Sequence, residues 1–326
     1  MGALGVSVLI GEVALRARVG SPIHWRFPQE SYQADPETAY RLVPGQVSHT
    51  HDQPVFVNSL GLRAAEVSRA VPPATERIVA LGDSQTFGVG LTLADSWPGQ
   101  LELALNHGGA RRWEVLNAGL PASDTCQQVA ILGRLLRELE FDAVVLGFYA
   151  NDVACISPKA PFSLDSTHDE THRLLYALKR SAVFTALWQV RVPISNWLRP
   201  APGFRFEQHV LDGTADPLVE AGWGRVTSFL TEMKASLDAR GIPITILVIP
   251  RRDQVQAARS ATAYNRRIAA IAADLGIGAV DALEALRDAY QTHGEALFIA
   301  WDGHDSKLAN QAIARLLAAS LASAPR

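Results

Sequence analysis

The run from Arg77 to Gly90, R-I-V-A-L-G-D-S-Q-T-F-G-V-G, constrains the fold more than any other stretch of the chain. Ile78, Val79, Ala80 and Leu81 form a short, continuous apolar run, the pattern of a strand buried on both faces. It stops at Gly82-Asp83-Ser84 and then meets Gly88 and Gly90, so a core strand delivers a serine to a Gly-rich turn. Open α/β sheets place their ligands beyond the carboxyl ends of such strands. Ser84 therefore reads either as a functional hydroxyl at a strand end or as a helix N-cap, a position serine favours.

The same alternation recurs downstream. Trp113 to Asn117, Phe141 to Tyr149, Ile244 to Ile249 and Ile277 to Val280 read as further strands. Between them, Ser96 reads as the cap of a helix carrying Leu101 and Leu105, and Ser123 as the cap of one carrying Val129, Leu132, Leu135 and Leu139. Val226 to Arg240 reads as a helix closed by Gly241, and Tyr264 to Leu275 as one closed by Gly276. Ile313, Leu316, Leu317 and Leu321 mark one face of the last helix. Strands and helices in this order predict an α/β fold, a doubly wound parallel sheet flanked by helices.

The rhythm fails in two places. Between about 155 and 223 an apolar helical pattern from Leu174 to Val192, including Leu175, Leu178, Phe184 and Trp188, precedes Pro193, Pro200 and Pro202. A long insertion of this kind reads as a helical cap over the active face, with core packing as the alternative. Residues 20–75 show no sustained periodicity and read as an extended lead-in laid on the surface. Residues 76–326 then form the main domain. The segment 1–19 begins with an uncharged apolar run that Glu12, Arg16 and Arg18 interrupt, short of the roughly 20 apolar residues that a membrane span needs.

Composition excludes several classes. Lys+Arg 30 against Asp+Glu 33 gives a net charge of −3, with no basic surface for nucleic acid. Two cysteines, Cys126 and Cys155, rule out a disulfide scaffold and a four-cysteine zinc site. His168 and His172 are four apart, but no third ligand accompanies them, so no metal is expected. Neither a P-loop nor a G-x-G-x-x-G motif is present, and no cofactor is expected.

Four motifs follow one another along the chain: Gly82-Asp83-Ser84, then Asn117-Ala118-Gly119, then Gly147-Phe148-Tyr149-Ala150-Asn151-Asp152, then Asp302-Gly303-His304. In that order they resemble the SGNH, or GDSL-type, esterase and acyl-hydrolase superfamily, from about Asn58 to Ala322. The stretch Asn58-Ser59-Leu60-Gly61-Leu62-Arg63 resembles a lead-in that precedes the nucleophile strand in many bacterial members. The resemblance implies a flavodoxin-like three-layer fold and, because such members often carry an N-terminal anchor, a shortened membrane anchor at 1–19. An ordinary N-terminal helix is the alternative. The anchor would place the domain outside the cytoplasm; a true start at Met1 would leave it inside.

The chemistry suits the motifs. A serine hydroxyl is a weak nucleophile and needs a base within hydrogen-bond reach. By resemblance His304 is that base, and Asp302 would hold its tautomer and stabilise the imidazolium. The implied oxyanion donors are the Ser84 amide, the Gly119 amide and the Asn151 side-chain amide, glycine leaving room for close approach and asparagine donating without charge. Asn151-Asp152 also reads as a plain turn pair. Asp83 reads as a brace for the turn. Thr86 stands where the α/β-hydrolase nucleophile elbow requires glycine, so that motif is absent.

Two departures stand out. Family members often follow D-x-H with Trp-Asn or Pro-Asn, whereas Asp305 and Ser306 stand here, and Asp305 reads as the cap of the last helix beside the imidazole. Substrate contacts are expected from Trp188, in the cap, and from Arg251 of Arg251-Arg252-Asp253, which follows the fourth strand and otherwise reads as surface charge. The expected reaction is hydrolysis of O-acyl or O-acetyl esters of a carbohydrate or small molecule through an acyl-enzyme on Ser84. Acyl transfer by the same residues is the first alternative, and a catalytically silent binding module the second.

Overall fold

Alternate residues of the strand around Ile78 divide between two cores. Ile78 and Ala80 pack into one apolar cluster, Val79 and Leu81 into the other, as a strand covered on both faces requires. The computed structural model describes residues 2–19, 31–51, 53–107, 111–154, 174, 178, 180–188, 202–257, 261–300 and 302–323. Its central sheet comprises β5 (Thr75–Gly82), β6 (Arg112–Asn117), β7 (Ala143–Phe148), β8 (Ile244–Val248) and β9 (Gly278–Asp281), all parallel, in the order β6-β5-β7-β8-β9. Each expected strand is present, within a few residues of its predicted bounds. The chain leaves β5 for β6 on one side and returns to β7 on the other, so the order reverses at the carboxyl ends of β5 and β7. Ligands bind open α/β sheets at such a point.

Helices cover both faces. On one, α3 (Trp97–Asn106), α9 (Leu283–His293) and α10 (Lys307–Ser323) bring Trp97, Leu101, Leu286, Ile313 and Leu317 onto Ile78, Ala80 and Val145. On the other, α4 (Thr125–Glu138), α6 (Pro217–Asp238) and, after the short α7 (Arg252–Gln256), α8 (Ala263–Asp274) bring Leu132, Leu135, Trp223, Val226 and Ile268 onto Val79, Leu81 and Leu146. Two details differ from the sequence reading. Helix α6 begins at Pro217 rather than Val226, with Asp216 accepting from the Leu218 N–H. Asp124, not Ser123, caps α4 and completes a capping box with Gln127. Ser123 instead turns its hydroxyl to the Gly82 carbonyl at 3.3 Å.

Where it is described, from Ser31 on, the lead-in is not a surface connector. It folds into two antiparallel hairpins, β1 (Tyr32–Asp35) with β2 (Ala39–Leu42) and β3 (Val47–Thr50) with β4 (Gln53–Phe56). Tyr32, Tyr40, Leu42, Val55 and Val57 join the core. Four-residue strands carry too little alternation to show in the sequence, which is why the stretch reads as aperiodic.

The N-terminal segment forms helix α1 (Ala3–Val19). Among the described residues no helix is long and apolar enough to cross a membrane. Glu12 on α1 caps a helical segment at 182–188, accepting from the Ala182 and Val183 N–H groups at 2.9 and 3.1 Å and from the Ser181 hydroxyl at 2.8 Å. Much of the expected cap at 155–223 falls outside the described residues. Its described parts are Leu174, Leu178, this segment against α1, the helix α5 (Pro202–Asp212) and the first turns of α6, whose Val219 and Trp223 pack into the sheet core rather than a cap.

Arg63 ties the lead-in to the main domain. It is 1% exposed, and it donates to the carbonyls of Phe87 at 2.6 Å, Gly88 at 2.8 Å and Leu91 at 2.5 Å. Burial pulls its guanidinium down to about 10, which leaves it charged at neutral pH. Removing it leaves the buried Leu91 carbonyl without its donor and takes one of two donors from the Phe87 and Gly88 carbonyls, which keep the Asn117 amide and the Leu91 N–H. Arg63→Ala should lower unfolding free energy by about 2–4 kcal/mol in urea titrations, and Arg63→Lys should recover only part of that, because one ammonium cannot span the fork. An Arg63→Ala midpoint equal to wild type would contradict this.

Candidate active site

The strand β5 passes directly into α2 (Ser84–Phe87), a single helical turn. Asp83 caps it, accepting from the Gln85 N–H at 2.9 Å. Ser84 is thus the first helical residue and not the cap, and its side chain is half-buried at the sheet's carboxyl edge. The following motifs close around this turn. The Asn117 amide donates to the carbonyls of Thr86 and Phe87 at 2.8 and 3.2 Å, and Asn117 Oδ1 accepts from the Gly119 N–H at 3.0 Å. Gly119 lies so close to α2 that a Cβ there would meet the Phe87 nitrogen at 2.3 Å, so only glycine fits. Asn151, in a 3-10 turn at the end of β7, donates from Nδ2 to Asp83 Oδ2 at 3.0 Å.

His304 arrives from the other end of the chain. Its Nε2 lies 2.9 Å from Ser84 Oγ, and its Nδ1 is hydrogen-bonded to Asp302 Oδ1. Gly303 between them has φ 92°, a left-handed conformation that turns the carboxylate back toward the ring. The Asp302 side chain is 4% exposed. An acceptor carboxylate at Nδ1 fixes that proton there and leaves the Nε2 lone pair to accept from the serine hydroxyl.

Asp305, by contrast, forms no hydrogen bond or ion pair with the ring among the described residues, and it does not cap the last helix. Ser306 precedes α10 and accepts from the Leu308 N–H at 3.2 Å. The Asp305 carboxyl is buried, with Oδ2 lacking a hydrogen-bond partner among the described residues. Two further buried carboxyls sit nearby. Burial pushes Asp83 up, against the Gln85 and Asn151 donors that hold it down, and burial together with the Asp83 charge pushes Asp152 well up. The sequence gives polarity but not depth, so it could not reveal this group.

Trp188 and Arg251 part company. Trp188 stacks on Phe184, ring centroids 5.9 Å apart, in the segment anchored to α1. Arg251 lines a cleft of about 400 Å³ that borders Asp302 and Gly303 and is walled by Glu207, Asp253, Gln256 and Tyr149. Its guanidinium reaches Glu207 Oε2 at 3.1 Å and Asp253 Oδ1 at 3.2 Å. Burial pushes the Glu207 carboxyl up while Arg251 opposes it. Among the described residues no three His, Cys, Asp or Glu side chains could hold a metal ion, and His168 and His172 lie outside them. One residue that the sequence reading passed over does reach the site. His51, in the turn between β3 and β4, places Nε2 3.4 Å from Asp302 Oδ2. No motif marks it, because the lead-in shows no periodicity that would aim a side chain.

Burial pushes the Asp305 carboxyl up to about 7, its attraction to His304 only partly offsetting that. Its ordinary value is 3.8, so between about pH 4 and 7 the folded state keeps a proton that the unfolded chain releases. Stability attributable to this group is therefore highest at about pH 4 and below, falls as pH rises to about 7, and is level beyond. Asp305→Asn stays neutral throughout. The stability of Asp305→Asn relative to wild type should rise across pH 4–7 in denaturant titrations and then plateau. A difference independent of pH would contradict the assignment.

Residues 80–305 match the GDSL-like Lipase/Acylhydrolase family. Among solved structures, TesA is 17% identical, over 76% of this chain and 98% of TesA, at a TM-score of 0.45. A lipolytic G-D-S-L protein from Veillonella parvula DSM 2008 is 12% identical, over 76% and 100%, at 0.45. LAE5, an α/β hydrolase enzyme from the metagenome of Lake Arreo, Spain, is 18% identical, over 77% and 97%, at 0.47. No curated protein matches the chain in sequence.

Proposed function

The chain belongs to the GDSL-like lipase/acylhydrolase family and is an ester hydrolase, and we propose that Ser84 is its nucleophile, His304 its general base and Asp302 the group that orients the base. The observation carrying this reading is the continuous path from Ser84 Oγ through His304 Nε2 and Nδ1 to the buried Asp302 carboxylate, at the sheet's reversal point.

In this reading Ser84 Oγ attacks the ester carbonyl carbon as its proton passes to His304 Nε2. The tetrahedral intermediate collapses with cleavage of the carbon–oxygen bond to the alcohol, which leaves with that proton. Water then attacks the acyl-enzyme, giving its proton to Nε2, and the acid departs as Ser84 recovers the proton. Asp302 stays ionised and faces the imidazolium that forms in both steps. The oxyanion would be met by the Ser84 N–H, which lies in the first turn of α2 and has no intrahelical acceptor, and by the second N–H of Asn151. The Gly119 N–H already donates to Asn117 Oδ1, so it would join only by sharing or by release of that bond.

The cleft beside Asp302 supports a polar substrate. Its walls are charged or hydrogen-bonding, and the Arg251, Glu207 and Gln256 side chains suit a hydroxylated alcohol better than a long acyl chain. We therefore favour short O-acyl esters of a carbohydrate or comparable small molecule. Passing the acyl group to a sugar hydroxyl would use the same residues, and product analysis with a hydroxyl acceptor present distinguishes the two outcomes.

Ser84→Ala should cut turnover of p-nitrophenyl acetate by about 10⁴ or more, and Asp302→Asn by about 10²–10⁴. Wild type should prefer the acetate over the octanoate ester. Wild-type turnover in folded Ser84→Ala protein would refute the nucleophile, and a preference for octanoate would refute the polar cleft as substrate site.

A further inference from the structure

We infer that His51 is a positioning residue of this active site, holding the second oxygen of Asp302 so that the first stays aimed at His304. The inference rests on the roles proposed above for Asp302 and His304.

The geometry is asymmetric. Asp302 presents Oδ1 to His304 Nδ1 and Oδ2 toward His51 Nε2, 3.4 Å away, and the His51 and Asp302 side chains are 6% and 4% exposed. Neither ring nitrogen of His51 has a hydrogen-bond partner among the described residues. Burying an imidazole without partners is costly, and a carboxylate edge beside it is the feature that offsets the cost. At 3.4 Å the contact is longer than a good hydrogen bond, and active-site contacts of this kind often tighten only when substrate is bound.

The chain accepts local constraints to put the ring there. His51 has φ 50°, the left-handed region, which few residues other than glycine adopt. Its ring lies against Gly90, where a Cβ would meet His51 Cδ2 at 2.6 Å, so the loop after the nucleophile leaves room for it. Thr50 fixes the same turn by accepting from the Gly90 N–H at 3.1 Å. The hairpin β3–β4 is thereby docked on the loop that follows α2, with His51 of its turn at the carboxylate.

An N–H at Oδ2 resists rotation of the carboxylate about its own axis. Such rotation would break the bond to His304 Nδ1 and free the imidazole to change tautomer. Removing the donor should therefore lower kcat and leave KM nearly untouched, because His51 meets the carboxylate and not the substrate.

The test measures kcat, KM and melting temperature for p-nitrophenyl acetate in His51→Phe, which keeps the ring's bulk and removes both nitrogens, and in His51→Gln, which restores an N–H at similar reach. His51→Phe should lower kcat about 10–100-fold, the usual cost of losing an outer partner of an active-site group, with KM within about twofold. His51→Gln should recover most of that loss. In an Asp302→Asn background His51→Phe should cost far less, since its effect runs through the carboxylate. If His51→Phe does not fold, His51→Leu takes its place in every comparison. Wild-type kcat in a folded apolar variant would overturn the inference. So would a His51→Gln defect as large as that of the apolar variant, or a full His51→Phe effect in the Asp302→Asn background. Activity that survives both Ser84→Ala and Asp302→Asn would instead overturn the catalytic reading itself, whereas activity that needs both and ignores His51 overturns only this inference.

Discussion

A helix of one turn cannot hold itself together, and much of this structure answers to that fact. Helix nucleation fixes several residues for very few hydrogen bonds, and α2 spans only Ser84–Phe87. Its amino end is closed by Asp83, and its carbonyls are met from outside by Asn117 and Arg63. Gly119 lies close enough that no side chain could stand there. The motifs distributed along the chain are thus first a scaffold for one turn. The serine's position is set by how tightly that turn is clamped.

The same clamping sets the electrostatics. Asp83, Asp152, Asp302 and Asp305 all lie out of water, and each meets the cost of burial differently. Asp83 and Asp152 accept from amides, Asp302 faces His304 with His51 at its other oxygen, and Asp305 is driven toward neutrality. A site holding several carboxyls stays workable only if one of them is charged beside the imidazole. Of the four, Asp302 is the one hydrogen-bonded to the ring. Asp305, next in sequence to His304, makes no hydrogen bond to the ring among the described residues and pairs its backbone with Phe298.

Much of this was legible in the residues. The strand around Ile78 reads correctly because both its faces are buried, leaving an unbroken apolar run, and the four motifs carry the family resemblance because each sits at a strand end or loop where backbone demands are strict. Other features had no local signal. The β1–β4 hairpins are built from four-residue strands, too short for alternation to register, and so His51 was invisible. Ser84 and Asp83 compete as caps on residue type alone, and only the Asp83-to-Gln85 bond decides between them. Asp305 resembles a helix cap in composition, yet Ser306 takes the bond. Burial depth and which oxygen faces which nitrogen are properties of packing, not of sequence spacing.

Turnover through an acyl-enzyme requires that Ser84 be the residue covalently acylated. Treating the folded protein with a fluorophosphonate and mapping the adduct by peptide mass spectrometry tests this directly. One adduct on Ser84, slowed while a saturating acetate ester is present and sharply slowed in His304→Ala, is the predicted result. Absence of any adduct, or an adduct on a different residue while ester hydrolysis continues, would contradict it.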